Sequence, residues 1–336
     1  MKSLKKNSYI LLILTILILF AVMKDDFNSI LDSLLTANVF FLILALLCQL
    51  SAIFFEAIAY KKVVNGYQKD YSFEKALKMQ FMTKFFNGIT PFSTGGQPMQ
   101  IYVLKKEGFR LTKATNIIMQ NFIIYQAALV LYGLLALGIN AKFHLFKDVP
   151  VLKELIALGF LMNTLVMIGL IIVSFSSKFN HAIIDKSIHL LGKWKLIKNP
   201  EQTKEKWSER IDDFHEGTMY LKENKRMGLE AFIFNFLYLT FNYLMPYFVI
   251  LALGSNAVTP LNAIVSSAYI LIIGSFVPIP GASGGIEFGY LMFFGTFITG
   301  GILKASLLIW RFISYYLLMI IGAIAFNIKG SVKKCE

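Results

Sequence analysis

Apolar residues run in long blocks along this chain, broken by short polar stretches, and the blocks have the length of membrane spans rather than of core strands. The runs 8–23, 35–60, 114–139, 155–175, 228–253, 261–277, 286–300 and 305–328 are each strongly apolar. A helix that crosses the hydrocarbon layer needs roughly 20 such residues. With no water available to backbone groups, a helix is the form in which a single run can cross. The pattern predicts an all-α polytopic membrane protein with about eight hydrophobic segments. Segment 73–107 fits neither a straight span nor a plain loop. It carries Lys75, Lys78 and Lys84, then the breaker-rich run Asn87-Gly88-Ile89-Thr90-Pro91-Phe92-Ser93-Thr94-Gly95-Gly96-Gln97-Pro98.

The polar stretches set an orientation. Lys2, Lys5 and Lys6 precede the first run and place the N-terminus in the cytoplasm, with 8–23 as a retained first helix because no small-x-small cleavage site follows it. Lys24-Asp25-Asp26 falls outside. Lys61, Lys62 and Lys69 return inside, as do Lys105, Lys106, Arg110 and Lys113. With both flanks on one side, 81–98 must enter and leave by the same face, as a re-entrant hairpin. Lys329, Lys333 and Lys334 put the short tail 331–336 inside as well. Residues 1–330 thus read as one transmembrane domain. Its mixed-charge stretch 177–226 is a cytoplasmic connector, amphipathic where Trp207, Ile211, Phe214 and Leu221 recur at helical spacing.

Composition narrows the chemistry. The chain has 336 residues, 56% hydrophobic and only 16% charged, where a soluble chain carries about 25% charged residues. The net charge of +13 lies in short loops between apolar runs, the positive-inside distribution, and not in a basic stripe for nucleic acid. Cys48 lies in an apolar run and Cys335 near the C-terminus, so no disulfide framework is expected. His144, His181, His189 and His215 lack metal-ligand spacing, and no cofactor motif is present.

The breaker-rich run has a counterpart. Pro91-Phe92-Ser93-Thr94-Gly95-Gly96 and Pro280-Gly281-Ala282-Ser283-Gly284-Gly285 both read Pro-x-x-(Ser/Thr)-Gly-Gly between apolar segments. If the second enters from outside, the halves are inverted copies with two re-entrant broken-helix hairpins. Paired interrupted segments of that kind point to transporter binding sites. Thr94 and Ser283 are placed to cap the helices that follow, and two facing helix N-termini would suit a phosphate or carboxylate.

These residues carry a resemblance. Gly88-Ile89-Thr90-Pro91-Phe92-Ser93-Thr94-Gly95-Gly96-Gln97-Pro98-Met99-Gln100 resembles the first signature of the lysylphosphatidylglycerol synthase transmembrane, or flippase-like, family. Pro278-Ile279-Pro280-Gly281-Ala282-Ser283-Gly284-Gly285-Ile286-Glu287 resembles the second, and Arg311 with Ser314-Tyr315-Tyr316 is similar to the family's arginine-containing last helix. The resemblance covers nearly the whole chain. It implies movement of aminoacylated phosphatidylglycerol or a related lipid across the bilayer. The cytosolic synthase domain of two-domain members has no counterpart before Glu336, so a lysyltransferase label is not expected to apply. Gln97 stands where many relatives have an acidic residue, so no carboxylate role carries over to it. The implied lipid-binding set is Thr94, Gly95, Gly96, Gln97, Ser283, Gly284, Gly285, Glu287 and Arg311.

Ionisable residues inside apolar runs are functional candidates. Glu287 and Arg311 are expected either to pair and hold the second hairpin on the last helix, or to leave Arg311 for a lipid phosphate. Glu230 near Lys225 and Arg226, and Glu56 near Lys61 and Lys62, are expected at the cytoplasmic boundary. Three functions follow. The leading one is a phospholipid translocase of the bacterial cytoplasmic membrane, which would engage membrane lipids and a phospholipid headgroup. The alternatives are a membrane lysyltransferase-type enzyme and an accessory partner of a separate lipid-modifying enzyme docked on 177–226. A homo-oligomer is compatible with each. Without a nucleotide-binding loop, the drive would be a gradient, the membrane potential or lipid mass action.

Overall fold

The computed structural model describes residues 27–146, 150–175, 219–274, 277 and 279–328, with the isolated positions 186, 188, 201, 203–205 and 208. The first apolar run 8–23, the tail 331–336 and nearly all of the connector 177–226 lie outside the described residues, together with Cys335 and three of the four histidines.

The described elements are helical. They run α1 (Phe27–Leu35), α2 (Val39–Tyr67), α3 (Phe73–Gly88), a 3-10 turn at Pro91–Ser93, α4 (Gly96–Lys106), α5 (Leu111–Phe143) and α6 (Pro150–Phe175). After the connector come α7 (Lys225–Ala252), α8 (Pro260–Gly274), a second 3-10 turn at Pro280–Ala282, α9 (Gly285–Phe294) and α10 (Gly300–Asn327). Helix α10 contains a π-helical turn at Phe312–Tyr316. Among the described residues α2, α5, α7 and α10 are long and apolar enough to cross a membrane. The chain is an all-α, multi-pass membrane protein. On α2, Phe40, Ile43, Leu47, Leu50 and Phe54 follow one another at helical spacing and are all exposed, the stripe expected to meet lipid.

The two broken segments behave as their residues require. Helix α3 starts where the Ser72 hydroxyl accepts the N–H of Lys75, and stops before Pro91, whose ring excludes helical geometry from the residue ahead of it. Its 16 residues reach about 24 Å and the 10 of α9 about 15 Å, against a hydrocarbon layer of about 30 Å. Neither arm crosses alone. The expected hairpin 81–98 is wider than predicted, with arms at Phe73–Gly88 and Gly96–Lys106. The expected run 286–300 ends early, at Phe294. After Thr299, Gly300 at φ +64° opens α10 at Gly300 instead of 305. Helix α1 was not expected as an element. It buries Ile30 completely and lays Ser29 on Gly301 at the start of α10.

One order recurs, a long helix, a broken hairpin and a long helix, as α2–α5 in the first half and α7–α10 in the second, with α1 ahead of the first unit and α6 between it and the connector. Helices α2 and α7 form the central pair. Arm α3 of the first hairpin packs on α10, the last helix of the second half, where Gly322 meets the Phe81 backbone. Arm α8 of the second hairpin packs on α5, the last helix of the first hairpin's half. The halves therefore exchange corresponding contacts, and the exchange brings the two Pro-containing turns against each other. At the C-terminal end of α2, Tyr220 packs tilted against Tyr67 with ring centres 4.7 Å apart, and its hydroxyl donates to the Gly66 carbonyl. Leu221, at the described end of the connector, packs into the same cluster.

Candidate functional site

The turns have nearly the same backbone. Ser93 N–H donates to Thr90 O and Thr94 N–H to Pro91 O, at 3.2 and 3.3 Å; Ala282 N–H donates to Ile279 O and Ser283 N–H to Pro280 O, at 2.9 and 3.3 Å. At the second and third motif positions φ is +54° and +52° in Phe92 and Ser93, and +62° and +52° in Gly281 and Ala282. Three of these four are not glycine, and positive φ in such residues is a conformation the surroundings must enforce. The repeat therefore extends to torsion angles at these two positions, and parts at the next two: Thr94 and Gly95 are right-handed helical, whereas Ser283 is extended and Gly284 has φ +89°.

The helix ends beyond the turns are already occupied. Thr90 Oγ1 accepts the N–H of Gly95 at 2.8 Å, and Asn87 Oδ1 accepts that of Gly96 at 2.7 Å. Pro98 has no N–H to offer. At α9 the Glu287 carboxylate accepts the Gly284 N–H at 2.6 Å. The expected caps are thus overturned. The Thr94 hydroxyl donates back to Pro91 O at 3.1 Å, and the buried Ser283 hydroxyl makes no hydrogen bond. At α4 the chain ahead of the helix takes two N–H groups, and at α9 the helix's own Glu287 takes the Gly284 N–H and sets a carboxylate at the end, so the two ends are not the free pair anticipated for an anion.

Glu287 does more than cap. Its other oxygen accepts from Arg311 Nε at 2.6 Å, and Arg311 donates from a terminal nitrogen to Gly281 O at 2.8 Å. Both side chains are only 6–7% exposed. Burying either charge alone would cost several kcal/mol, which the pairing offsets. The guanidinium lies 4.2 Å from the ring centre of Tyr315, whose hydroxyl donates to Gly88 O at the end of α3 at 2.9 Å. The π-helical turn after Arg311 is the device that aims both side chains, since the extra residue per turn rotates them off the regular helical register. One helix thereby holds both hairpins.

A cavity of about 480 Å³ opens where the turns meet. Of the predicted site residues, Thr94, Gln97 and Arg311 line it; Gly95, Gly96, Ser283, Gly284, Gly285 and Glu287 stand behind its wall and hold the turns. The opposite wall carries a second ion pair. Lys84 donates to Glu56 at 2.8 Å and to the Tyr238 hydroxyl at 3.3 Å, with its ammonium 4.9 Å from the Tyr238 ring centre. Glu56 therefore faces the cavity and not the boundary beside Lys61 and Lys62. Its partner comes from the first hairpin. Glu230 does sit with Lys62 and Arg226, at 2.6 and 2.9 Å.

The rest of the polar lining is made of carboxamides and of hydroxyls, among them Thr83, Ser93, Tyr125 and Ser314. Gln80 and Asn87 come from one face of α3, Gln97 and Gln100 from α4, Asn121 and Gln126 from α5. Asn163 of α6 accepts from Gln126 at 2.6 Å, and Asn235 of α7 completes the ring. Charge counting misses these residues because they are neutral. Their signal in the sequence is recurrence at helical spacing inside apolar runs, as with Gln80, Lys84 and Asn87.

Comparison with known proteins agrees with this architecture. The model of the lysylphosphatidylglycerol synthase TM region matches residues 9–322. A UPF0104 membrane protein of Archaeoglobus fulgidus is 27% identical over 301 residues, covering 87% of each chain. A UPF0104 membrane protein of Pyrococcus horikoshii is 24% identical over 331 residues, covering 95% of this chain and 96% of its own. An uncharacterized protein of Mycoplasma pneumoniae is 25% identical over 269 residues, 73% of this chain and 66% of its own. The chain belongs to the lysylphosphatidylglycerol synthase TM-region family.

Proposed function

We propose that this protein is a phospholipid translocase, which admits a lipid headgroup into the cavity between its two broken hairpins and releases it on the other side of the bilayer. One observation carries the reading. The two motifs, about 190 residues apart in the chain, meet at a cavity lined by Lys84, Glu56, Arg311 and several carboxamides and hydroxyls inside a protein otherwise coated with apolar side chains. Non-helical backbone at membrane depth is tolerated where protein buries it or where it lines a wet cavity. Both turns meet that condition. The family's description supplies aminoacylated phosphatidylglycerol as a candidate substrate.

In this reading the cavity is reached alternately from each leaflet as the hairpins rock about their contact. The π-helical turn of α10 is the joint, because Arg311 and Tyr315 hold one hairpin each. The setting is a bacterial cytoplasmic membrane with both termini and the connector in the cytoplasm, the first hairpin entered from that side and the second from outside. The connector is the surface for a separate lipid-modifying enzyme.

The test is reconstitution in vesicles with a headgroup-accessibility assay. Gly96→Leu and Gly285→Leu should insert and purify but lose lipid movement, because a Cβ on Gly96 already lies 2.6 Å from Asn87 Oδ1 and from Thr83, and one on Gly285 strikes Val277. Normal movement in both variants would reduce the motifs to packing turns. Orientation is checked by single cysteines at Lys69 and Lys106 in a chain lacking Cys48 and Cys335. Labelling of either from the outer face alone would reverse the topology.

A further inference from the structure

Among the described residues two cations line the cavity, and they are held in different ways. Arg311 is fixed on three sides: Glu287 takes its Nε, Gly281 O takes a terminal nitrogen, and the Tyr315 ring lies beside the guanidinium. Glu287 in turn holds the Gly284 N–H. A ligand that drew Arg311 away would leave that carboxylate buried alone and loosen the second turn. Arg311 is poorly suited to a group that must be taken up and let go.

Lys84 is held more loosely. The side chains of Lys84 and Glu56 are about three times as exposed as those of Arg311 and Glu287. Lys84 stands about 16 Å along α3 from Phe73, too far from that end for its head to snorkel there. An ionisable side chain so placed in a membrane protein is a functional candidate. Its ammonium is a point charge on a flexible stem with three rotatable donors, free to turn from one partner to another while the helix stays in place.

The ammonium now occupies a cation site. Glu56 Oε1 lies at 2.8 Å, the Tyr238 hydroxyl at 3.3 Å and the Tyr238 ring centre at 4.9 Å. Tyr125, also of the lining, sets its ring 6.3 Å from that of Tyr238. A carboxylate beside an aromatic face is an arrangement that takes an ammonium, whether it belongs to the protein or to a ligand. Asn87 follows Lys84 on the same face of α3. It spends its carboxamide oxygen on the Gly96 N–H, so what it offers the cavity is its NH2. Lys84 and Asn87 both donate, and a phosphate accepts from both. A phosphate alone that took Lys84 would leave Glu56 unpaired. A headgroup that brings a phosphate and an ammonium exchanges one ion pair for two, with no charge left over.

We propose that Lys84 and Glu56 are the headgroup-binding pair: Lys84 turns to the phosphate, and the headgroup's ammonium takes its place on Glu56 and the Tyr238 ring. The assignment rests on the translocation reading for its setting, but the binding it predicts is measured apart from transport.

The experiment titrates the purified full chain with water-soluble short-chain phosphatidylethanolamine and phosphatidylglycerol, and with phosphoethanolamine as the same headgroup without acyl chains. A parallel arm follows movement of the two lipids in vesicles. Phosphatidylethanolamine should bind about tenfold more tightly than phosphatidylglycerol, the worth of one hydrogen bond between charged groups. Lys84→Gln should weaken both about tenfold, and Lys84→Arg should restore both. Glu56→Gln should weaken phosphatidylethanolamine about tenfold yet tighten phosphatidylglycerol, because Lys84 then leaves no carboxylate behind. A merely structural pair does not give that opposite response. Loss of affinity for both lipids in both glutamine variants, or loss in neither, overturns the assignment. Where a variant fails to fold, the unaltered protein decides: phosphatidylglycerol bound as tightly as phosphatidylethanolamine overturns the assignment as well. The expected pattern without movement of either lipid sinks translocation and leaves the pair standing, with equally tight phosphoethanolamine then naming a soluble source. Movement of lipid with the variants' affinities unchanged sinks the pair alone. If neither lipid binds and neither moves, both fail.

Discussion

The two hairpins share a motif and the torsions of its second and third residues, yet they hold their turns by different means. In the first, the turn is held by neutral groups within its own hairpin: Asn87 and Thr90 at the end of α3 take the N–H groups of Gly96 and Gly95. In the second, it is held by charge, with Glu287 of its own arm α9 on the Gly284 N–H and Arg311 of α10 on Gly281 O. The difference reaches the second motif position. Phe92 keeps a side chain at φ +54°, with 55% of the residue exposed. Gly281 cannot have one, because the Tyr315 hydroxyl occupies the place of a Cβ. The turn itself is thus capped within its own hairpin in one copy and tied to the last helix in the other, while Tyr315 of that helix also holds Gly88 at the end of α3.

The sharpest way to break this comparison is to remove the second hairpin's charge. Arg311→Gln or Glu287→Gln leaves a buried charge unpaired and should cost about 3–5 kcal/mol in detergent-solubilised stability. The double substitution should recover much of that loss. If lipid affinity fails to recover with stability, Arg311 touches the headgroup as well as its partner. Arg311→Lys should restore part of the hold, since lysine lacks the planar fork that spans Glu287 and Gly281.

The next effect lies in the turns themselves. Gly281→Ala should cost about 2–3 kcal/mol, the sum of a left-handed alanine and the displaced Tyr315–Gly88 hydrogen bond. Phe92→Ala at the matching position should cost under about 1 kcal/mol, because that side chain is largely exposed. Equal losses in thermal unfolding would erase the distinction between a tied and a self-held turn.

A smaller effect is expected from the first hairpin's own ion pair. Lys84 and Glu56 have side chains 20% and 17% exposed, against 7% and 6% for Arg311 and Glu287. Lys84→Gln should therefore cost only about 1–2 kcal/mol, with the cavity hydrating the orphaned carboxylate. A loss as large as that of Arg311→Gln would show that the two walls are equally dry. The smallest expected change is a gain. Phe92→Gly should raise stability by up to about 1 kcal/mol through relief of its left-handed backbone, less the added entropy of the unfolded chain. No gain in melting temperature would mean that the phenyl ring contributes contacts outweighing the strain.

Much of this protein was written in the chain itself. The long spans α2, α5 and α7, the interruption at Pro91 and Pro280, and the singling out of Glu287 and Arg311 follow from apolar run length, from breaker chemistry and from the cost of burying a charge, while the choice between their pairing and a free Arg311 stayed open. These are local rules, or rules with few candidate partners, and the residues needed are close in sequence or rare. What only the tertiary structure decided is where the polar side chains of the spans converge. Lys84 reaches Glu56 across 28 residues and Tyr238 across 154, and Tyr315 reaches Gly88 across 227. A neutral carboxamide in an apolar run carries no charge to demand a partner, so its spacing shows a face but not what the face meets. The helix ends show the same limit. Thr94 and Ser283 stand where a capping residue should, but once the chain folds back, Thr90 and Asn87 close the first end and Glu287 the second. A helix end takes the acceptor whose geometry is best, and that geometry exists only after the hairpin has closed.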